Sequence, residues 1–382
     1  MPITPLVCTA GTKFNSSVSL PSDGVCDFTF YDSMHENGRN TLLGPYDENF
    51  EHFVTFAGSH SRTQYGVGLN YGTVSDIAKI FTGNSGTTVI ENLEKRNTFH
   101  YGFINTATWA TTYDLKNILR VLKVVSTLTA DRGTGRPRSY TAFAASLQMA
   151  GTIEEVATIF KEMYTPSLII SYGHLFAQDQ LWPDCNILPP TFLIEPGSPS
   201  YKYNLESAVI DLESLRNQGV TSTWAVSVAS FGRWYQLVSS APGDALNNVV
   251  NGKAYTRFGT CNVTANTQQL ASIAEACRKT LLRNCKYSES LQCEFCHDTT
   301  TKRMLMYDNA KALRRKLCQL KKQHLTLKYG IAVYSLEFAD WSNACRRHEA
   351  FNELAAVRAV VDYLPRFGAA SNVTACVAAT AG

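Results

Sequence analysis

Apolar residues along this chain fall into short, nearly continuous runs separated by stretches with helical spacing. Eight runs read as strands: PLVCTA (5–10), VCDFTFYDS (25–33), TQYGVGLNYG (63–72), TFHYGFINTA (98–107), SYTAFAASL (139–147), PSLIISYGHLF (166–176), TWAVSVASFGRWY (223–235) and GIAVYSLEFADW (330–341). Their β-branched and aromatic content suits strands. Between them, Leu115, Ile118, Leu119, Leu122 and Val125 recur at the period of a helix with one buried face. Thr152 and Glu155 form a capping-box pattern ahead of Ile153, Val156, Ile159, Phe160 and Met163. Leu205, Val209, Leu212 and Leu215 mark another helix, which Gly219 closes. Segments 308–322 and 348–361 complete the helical set.

Continuous apolar strands alternating with helices argue for a parallel sheet covered by helices. Eight strands predict a closed (β/α)8 TIM barrel, whose functional side chains gather at the C-terminal ends of the strands. The rhythm breaks at 236–301, where Cys261, Cys277, Cys285, Cys293 and Cys296 cluster. This stretch reads as an irregular, cross-linked insertion between strands seven and eight, with one helix near 266–280. We therefore expect one barrel over 1–367 and a loose, Ala-rich tail over 368–382.

Composition narrows the function. A chain of 382 residues that is 45% hydrophobic and 18% charged is globular and large enough to fold without staples. Its eleven cysteines are therefore a clue to compartment rather than a folding necessity. Together with the Asn-x-Ser/Thr triplets at Asn15, Asn262 and Asn372 they suggest a secreted, disulfide-bonded protein. The odd count leaves at least one thiol free or paired with another chain. MPITPLVCTAG lacks the basic start and apolar run of a signal peptide, so a secreted form implies a targeting segment upstream. No run approaches the 18 apolar residues of a membrane-spanning helix.

Several motifs invite sharper readings that their surroundings weaken. Cys293-Glu-Phe-Cys296-His297 matches a haem-attachment pattern, but among other cysteines it reads as disulfide chemistry. His100 and His174 have no partner at metal-ligand spacing. GTGRPR (133–138) lacks the Gly-Lys-Ser/Thr of a phosphate loop. The net charge of +3 is silent about acidic partners, and the basic residues of 311–322 read as the solvated face of an outer helix. No metal, cofactor or nucleic-acid partner is expected.

MYDNAKALRRKLCQLKKQHLTLKYGIAVYSLEFADWSNAC (306–345) resembles the closing unit of family 18 glycoside hydrolases, the chitinases and chitinase-like lectins. The pieces are Tyr307-Asp308, Gly330, Tyr334, Glu337, Asp340, Trp341 and Cys345. CTAG with CDFTFYDS resembles the first two family strands with their cysteine pair, here Cys8 and Cys26; IISYGHL and VSVASFGRWY resemble the sixth and seventh. The wording is most similar to chitinase-like modules of secreted tick proteins. The resemblance implies that Cys345 pairs back into the insertion.

In active members the fourth strand carries three aspartates and a glutamate. The glutamate protonates the glycosidic oxygen, and an aspartate positions the acetamido nucleophile. Here no acid lies between Lys95 and Tyr113. The resemblance puts an aspartate position at Ile104, the glutamate at Thr108 and the sixth-strand aspartate at Gly173. A glycosidic oxygen leaves poorly without a proton, and general acid catalysis contributes roughly 10²–10⁴-fold. The sequence thus predicts no family 18 glycosidase activity.

Aromatic rings remain at the strand ends: Tyr31, Trp109, Tyr172 and Tyr334, the last at the family's sugar-stacking position. They either bind a chitin-like or other glycan or plug a disused barrel. Glu337 and Asp340 read as structural polar groups. Two functions stay open: an extracellular binding protein for a glycan or a protein partner, and a structural module of a larger secreted protein with a closed cleft. An enzyme with relocated acids is the third and least favoured reading.

Overall fold

The computed structural model describes the chain except for residues 12, 37, 108–109, 131–136, 149–150, 176–185, 194–202, 237–257, 261–269, 278–283, 290, 299, 302, 347–348, 369 and 381–382. Eight strands close into a parallel barrel: β1 Leu6–Ala10, β2 Phe28–Tyr31, β3 Gln64–Gly68, β4 Thr98–Phe103, β5 Thr141–Ala145, β6 Leu168–Ser171, β7 Thr223–Ala229 and β8 Gly330–Tyr334. All eight fall within the runs read from the sequence, and they neighbour one another in chain order, with β8 beside β1. The register places Val7 opposite Phe28, Phe28 opposite Gln64 and Tyr101 opposite Thr141.

Alternation along each strand divides the side chains between two faces. On β2, Phe28 points inward and meets His100 of β4 edge-on at 5.1 Å. Tyr31 takes the opposite face and packs on Phe50 and Phe53 of the helix Glu48–Ser59. That helix starts where the Asp47 carboxylate accepts the Phe50 N–H at 2.7 Å, and Glu48 and Glu51 in its first turn suit its N-terminal dipole. Helices Thr112–Ala130, Ile153–Met163 and Leu205–Asn217 follow β4, β5 and β6. Thr152 caps the second of these through the Glu155 N–H, as the sequence predicts.

The fold forms two compact units: Met1–Tyr172 with Ala208–Ser227 and Leu327–Ala332, and Gly173–Ser207 with Val228–Thr326 and Val333–Gly382. The second unit departs from expectation in three ways. The run 223–235 is two strands rather than one. Its second half, Gly232–Gln236, leaves the barrel and pairs antiparallel with Arg303–Tyr307. The described part of the insertion is also ordered: Leu270–Ala271, Gly232–Gln236, Arg303–Tyr307, Cys293–Asp298 and Cys285–Ser288 form one five-stranded sheet in that order. Of the helix near 266–280, residues 266–269 and 278–280 lie outside the described residues, and the described part is a single turn, Ile273–Ala276. Ser272 and Glu275 cap that turn reciprocally.

The third departure is the C-terminal segment, which is pinned rather than loose. It forms the helix Val373–Val377, tied to the helix Ala310–Gln323 by the disulfide Cys318–Cys376. The Arg314 guanidinium donates to the carbonyl oxygens of Val377 and Ala379 at 3.0 and 2.6 Å. The basic run of Ala310–Gln323 is correspondingly not a solvated face throughout. Lys316 and Lys321 are buried, and Lys311 and Arg315 both pair with Glu289.

Cys8 pairs with Cys26, and Cys345 pairs back into the insertion at Cys277, both as the resemblance implies. Cys285 and Cys296 face each other across adjacent strands and are bonded. That removes Cys296 from any haem attachment, while Cys293 keeps a buried free thiol. Cys185 and Cys261 lie outside the described residues. Among the described residues no helix is long and apolar enough to cross a membrane.

Candidate functional site

In the first unit the candidate site is the exit of β4, where the resemblance puts the acids of active relatives. Ile104 is fully buried directly after the strand, so an apolar side chain occupies that position. Thr106 is also buried, and its hydroxyl has no hydrogen-bond partner among the described residues. Thr108 and Trp109 lie outside the described residues.

Tyr172, one residue beyond β6, closes on this exit. Its hydroxyl lies 3.3 Å from the carbonyl oxygen of Ile104, 3.2 Å from that of Thr106 and 3.0 Å from that of Ala144. One phenolic proton is shared among three acceptors, and the side chain is 3% exposed. The ring ties the exits of β4 and β5 together and offers almost no face to a ligand. Tyr31 is likewise enclosed: it is 7% exposed, and its hydroxyl donates to Asp47 at 3.0 Å. Burial first, and then the Asp47 charge, hold its phenol well above the usual range.

One polar pair here escaped the sequence reading. The Asn105 amide donates to the Asp32 carboxylate at 2.8 Å, linking the ends of β4 and β2. A side chain at Gly68 would place its first carbon 2.9 Å from that same carboxylate oxygen and 3.1 Å from the Tyr31 carbonyl oxygen, so the close approach favours glycine. The signal was present as an acid and an amide at two strand exits, but 73 intervening residues hid their pairing.

His100 sits inside the barrel and belongs to its packing. The Tyr140 N–H donates to Nδ1 at 3.2 Å, which leaves Nε2 to donate to the Gln64 amide oxygen at 2.9 Å. Both ring nitrogens are thus used by a neutral imidazole. Burial, helped by the nearby N-terminal charge, pulls its pKa down to about 3.

In the second unit the exit of β8 carries Tyr334, which is 2% exposed. Its ring lies 4.8 Å from that of His174, and Phe231 packs on the same imidazole at 6.0 Å. The backbone oxygen of Tyr334 accepts both the N–H and the hydroxyl of Ser230, at 3.0 and 2.6 Å. Burial pulls His174 down to about 3, so it too is neutral. His174 bridges to Thr191, whose carbonyl oxygen accepts the buried Lys316 ammonium at 2.6 Å. That ammonium also pairs with Asp308 at 2.5 Å. Backbone pairing thus connects the residue that packs on Tyr334 to a segment whose Thr191 holds this buried ion pair. Gly173 is described and buried, and it has no side chain to act as an acid.

Of the two acids after β8, Asp340 accepts the N–H groups of Ala344 and Cys345 at 2.7 and 2.9 Å. It shapes the turn that presents Cys345 to Cys277. Glu337 is 7% exposed on the short turn Leu336–Phe338.

No family model matches the chain, and no curated protein matches it in sequence. Solved structures do match, over nearly its whole length. Human YKL-39, described as a pseudo-chitinase with retained chitooligosaccharide binding properties, aligns at a TM-score of 0.62 and 13% identity, covering 93% of this chain and 98% of that one. The chain has the chitinase-like fold. An immunomodulatory active chitinase from Trichuris suis aligns at 0.63 and 12% identity, covering 92% and 98%. A family 18 chitinase from Cycas revoluta, in complex with allosamidin, aligns at 0.61 and 13%, covering 92% and 99%. Active enzymes and a pseudo-chitinase thus share this barrel, so the fold alone does not decide activity.

Proposed function

We propose that this chain is an extracellular chitinase-like protein that does not hydrolyse glycosidic bonds and acts by binding, with a chitin-like oligosaccharide as the first ligand to test. One observation carries the loss of hydrolysis. From Arg96 to Thr112, through β4 and its exit, the sequence holds no carboxyl side chain, and buried Ile104 stands where the resemblance puts an aspartate. Asp32, the acid held beside this exit, is engaged by Asn105. The retained oligosaccharide binding described for YKL-39 supports the ligand class. The four disulfides among the described residues support the extracellular setting.

A second reading is a structural or protein-interaction module with a closed cleft. The burial of Tyr31, Tyr172 and Tyr334 favours it, because a ring stacked on sugar must present a face. Calorimetric titration with N-acetylglucosamine oligomers separates the two, run beside a hydrolysis assay on the same oligomers. Saturable binding with intact oligomers is the expected result. Cleavage would overturn the non-hydrolytic reading. Silence up to millimolar oligomer would move the function to a protein partner.

A further inference from the structure

We propose that Asn15 and Asn372 both carry N-linked glycans, an inference that rests on the extracellular reading above. Asn-x-Ser/Thr triplets arise often by chance, so the triplet alone decides little. Three geometric conditions sharpen it. The asparagine must be exposed, its amide nitrogen must be available, and any structural work done by the side chain must survive the modification.

Asn15 meets all three. It is exposed in the loop after β1. Its Oδ1 accepts the Ser17 N–H at 2.9 Å and the Ser17 hydroxyl at 2.5 Å, the hydroxyl being that of the triplet itself. Its Nδ2 donates to the Lys13 carbonyl oxygen at 3.2 Å. Glycan transfer forms one bond, from Nδ2 to the anomeric carbon of a lipid-linked pyrophosphate oligosaccharide. The anomeric C–O bond breaks, the pyrophosphate leaves with its electron pair, and Nδ2 loses one proton. The glycosylated amide keeps its oxygen and one N–H, so every hydrogen bond of this turn can persist.

Asn372 meets them in a different way. It is exposed and serves as N-cap of the helix Val373–Val377, with Oδ1 accepting the Thr374 N–H at 2.7 Å. The cap uses only the oxygen, and among the described residues nothing engages Nδ2. The cap and the glycan thus draw on opposite ends of the same amide. The helix itself is held by Cys318–Cys376, so this asparagine is presented from a fixed surface. Asn262 lies outside the described residues.

The test is to express the full chain behind a host secretion signal in a eukaryotic cell. The secreted protein is then treated with a peptide-N-glycanase in heavy-oxygen water and its peptides are mapped by mass. The expected result is heavy-oxygen aspartate at positions 15 and 372. Asn15→Asp and Asn372→Asp should each abolish one label while keeping the acceptor oxygen of the turn or cap, with circular dichroism unchanged. Unlabelled asparagine at either position, while a co-secreted control glycoprotein is labelled, overturns the assignment there. Because the host supplies the secretion signal, failure here is distinct from failure of oligosaccharide binding.

Discussion

The hydroxyl of Tyr172 sits 3.2 Å from the carbonyl oxygen of Thr106 and 3.0 Å from that of Ala144. The phenol at the exit of β6 is therefore committed to the backbone of β4 and β5. Tyr172→Phe removes the donor that these buried carbonyls share. Losing one partner of a buried hydrogen bond costs about 1–3 kcal/mol. Urea unfolding should show a lowered midpoint with an unchanged slope. A variant as stable as the parent would mean that the clamp contributes nothing.

Stability should fall on mild acidification. His100 and His174 are each held near 3 by burial, far below the ordinary value of about 6.5. The unfolded chain binds their protons before the folded one does, so stability is complete above about pH 6.5 and is lost as pH falls toward 3. At about pH 5 each contributes a loss of about 2 kcal/mol. Thermal melts across this range should show the decline, and His174→Asn should flatten part of it.

Lys316 and Asp308 form a fully buried ion pair. Removing one partner strands the other charge, which typically costs about 3–5 kcal/mol. Lys316→Met should therefore be severely destabilising. Asp308→Asn combined with it should recover part of the loss, and denaturant titration of the single and double variants would measure the coupling.

The C-terminal helix should come free when its disulfide is removed. Cys318 and Cys376 are 58 residues apart, and closing a loop of that length is worth about 4 kcal/mol in the chain-entropy account. Cys376→Ala should lower the melting temperature and open the segment after Phe367 to limited proteolysis. Equal protease resistance would show that the hydrogen bonds from Arg314 and from Lys322 to Ser371 suffice to hold it.

The barrel was legible because its strands are short, apolar and continuous, and because Thr152 and Gly219 punctuate helices in recognisable ways. The phase of each strand was harder to read. Alternation tells that Phe28 and Phe30 share a face while Tyr31 takes the other, but not which face meets the helices. Tyr31 was thus a fair candidate for a sugar platform, and the structure packs it on Phe50 and Phe53. Long-range pairings were also hidden. Lys316 and Lys321 belong to a run that reads as solvated, and only folding brings Asp308 and Thr191 to the first of them. The Ala-rich tail reads as loose because its anchors, Cys318 and Arg314, lie more than 50 residues upstream.

The buried thiol of Cys293 bears on oxidative folding in the cell. In the unfolded chain it lies three residues from Cys296, whereas the native partner Cys285 lies 11 away. Shorter loops close more readily, so Cys293 competes for the same sulfur while the chain is still open. Once the strands Cys285–Ser288 and Cys293–Asp298 pair, Cys285 and Cys296 are held opposite each other and Cys293 faces Ser288 instead. Sheet formation thereby selects the bridge. A disulfide isomerase acting before that pairing would have a wrong bond to undo, and one acting after it would not.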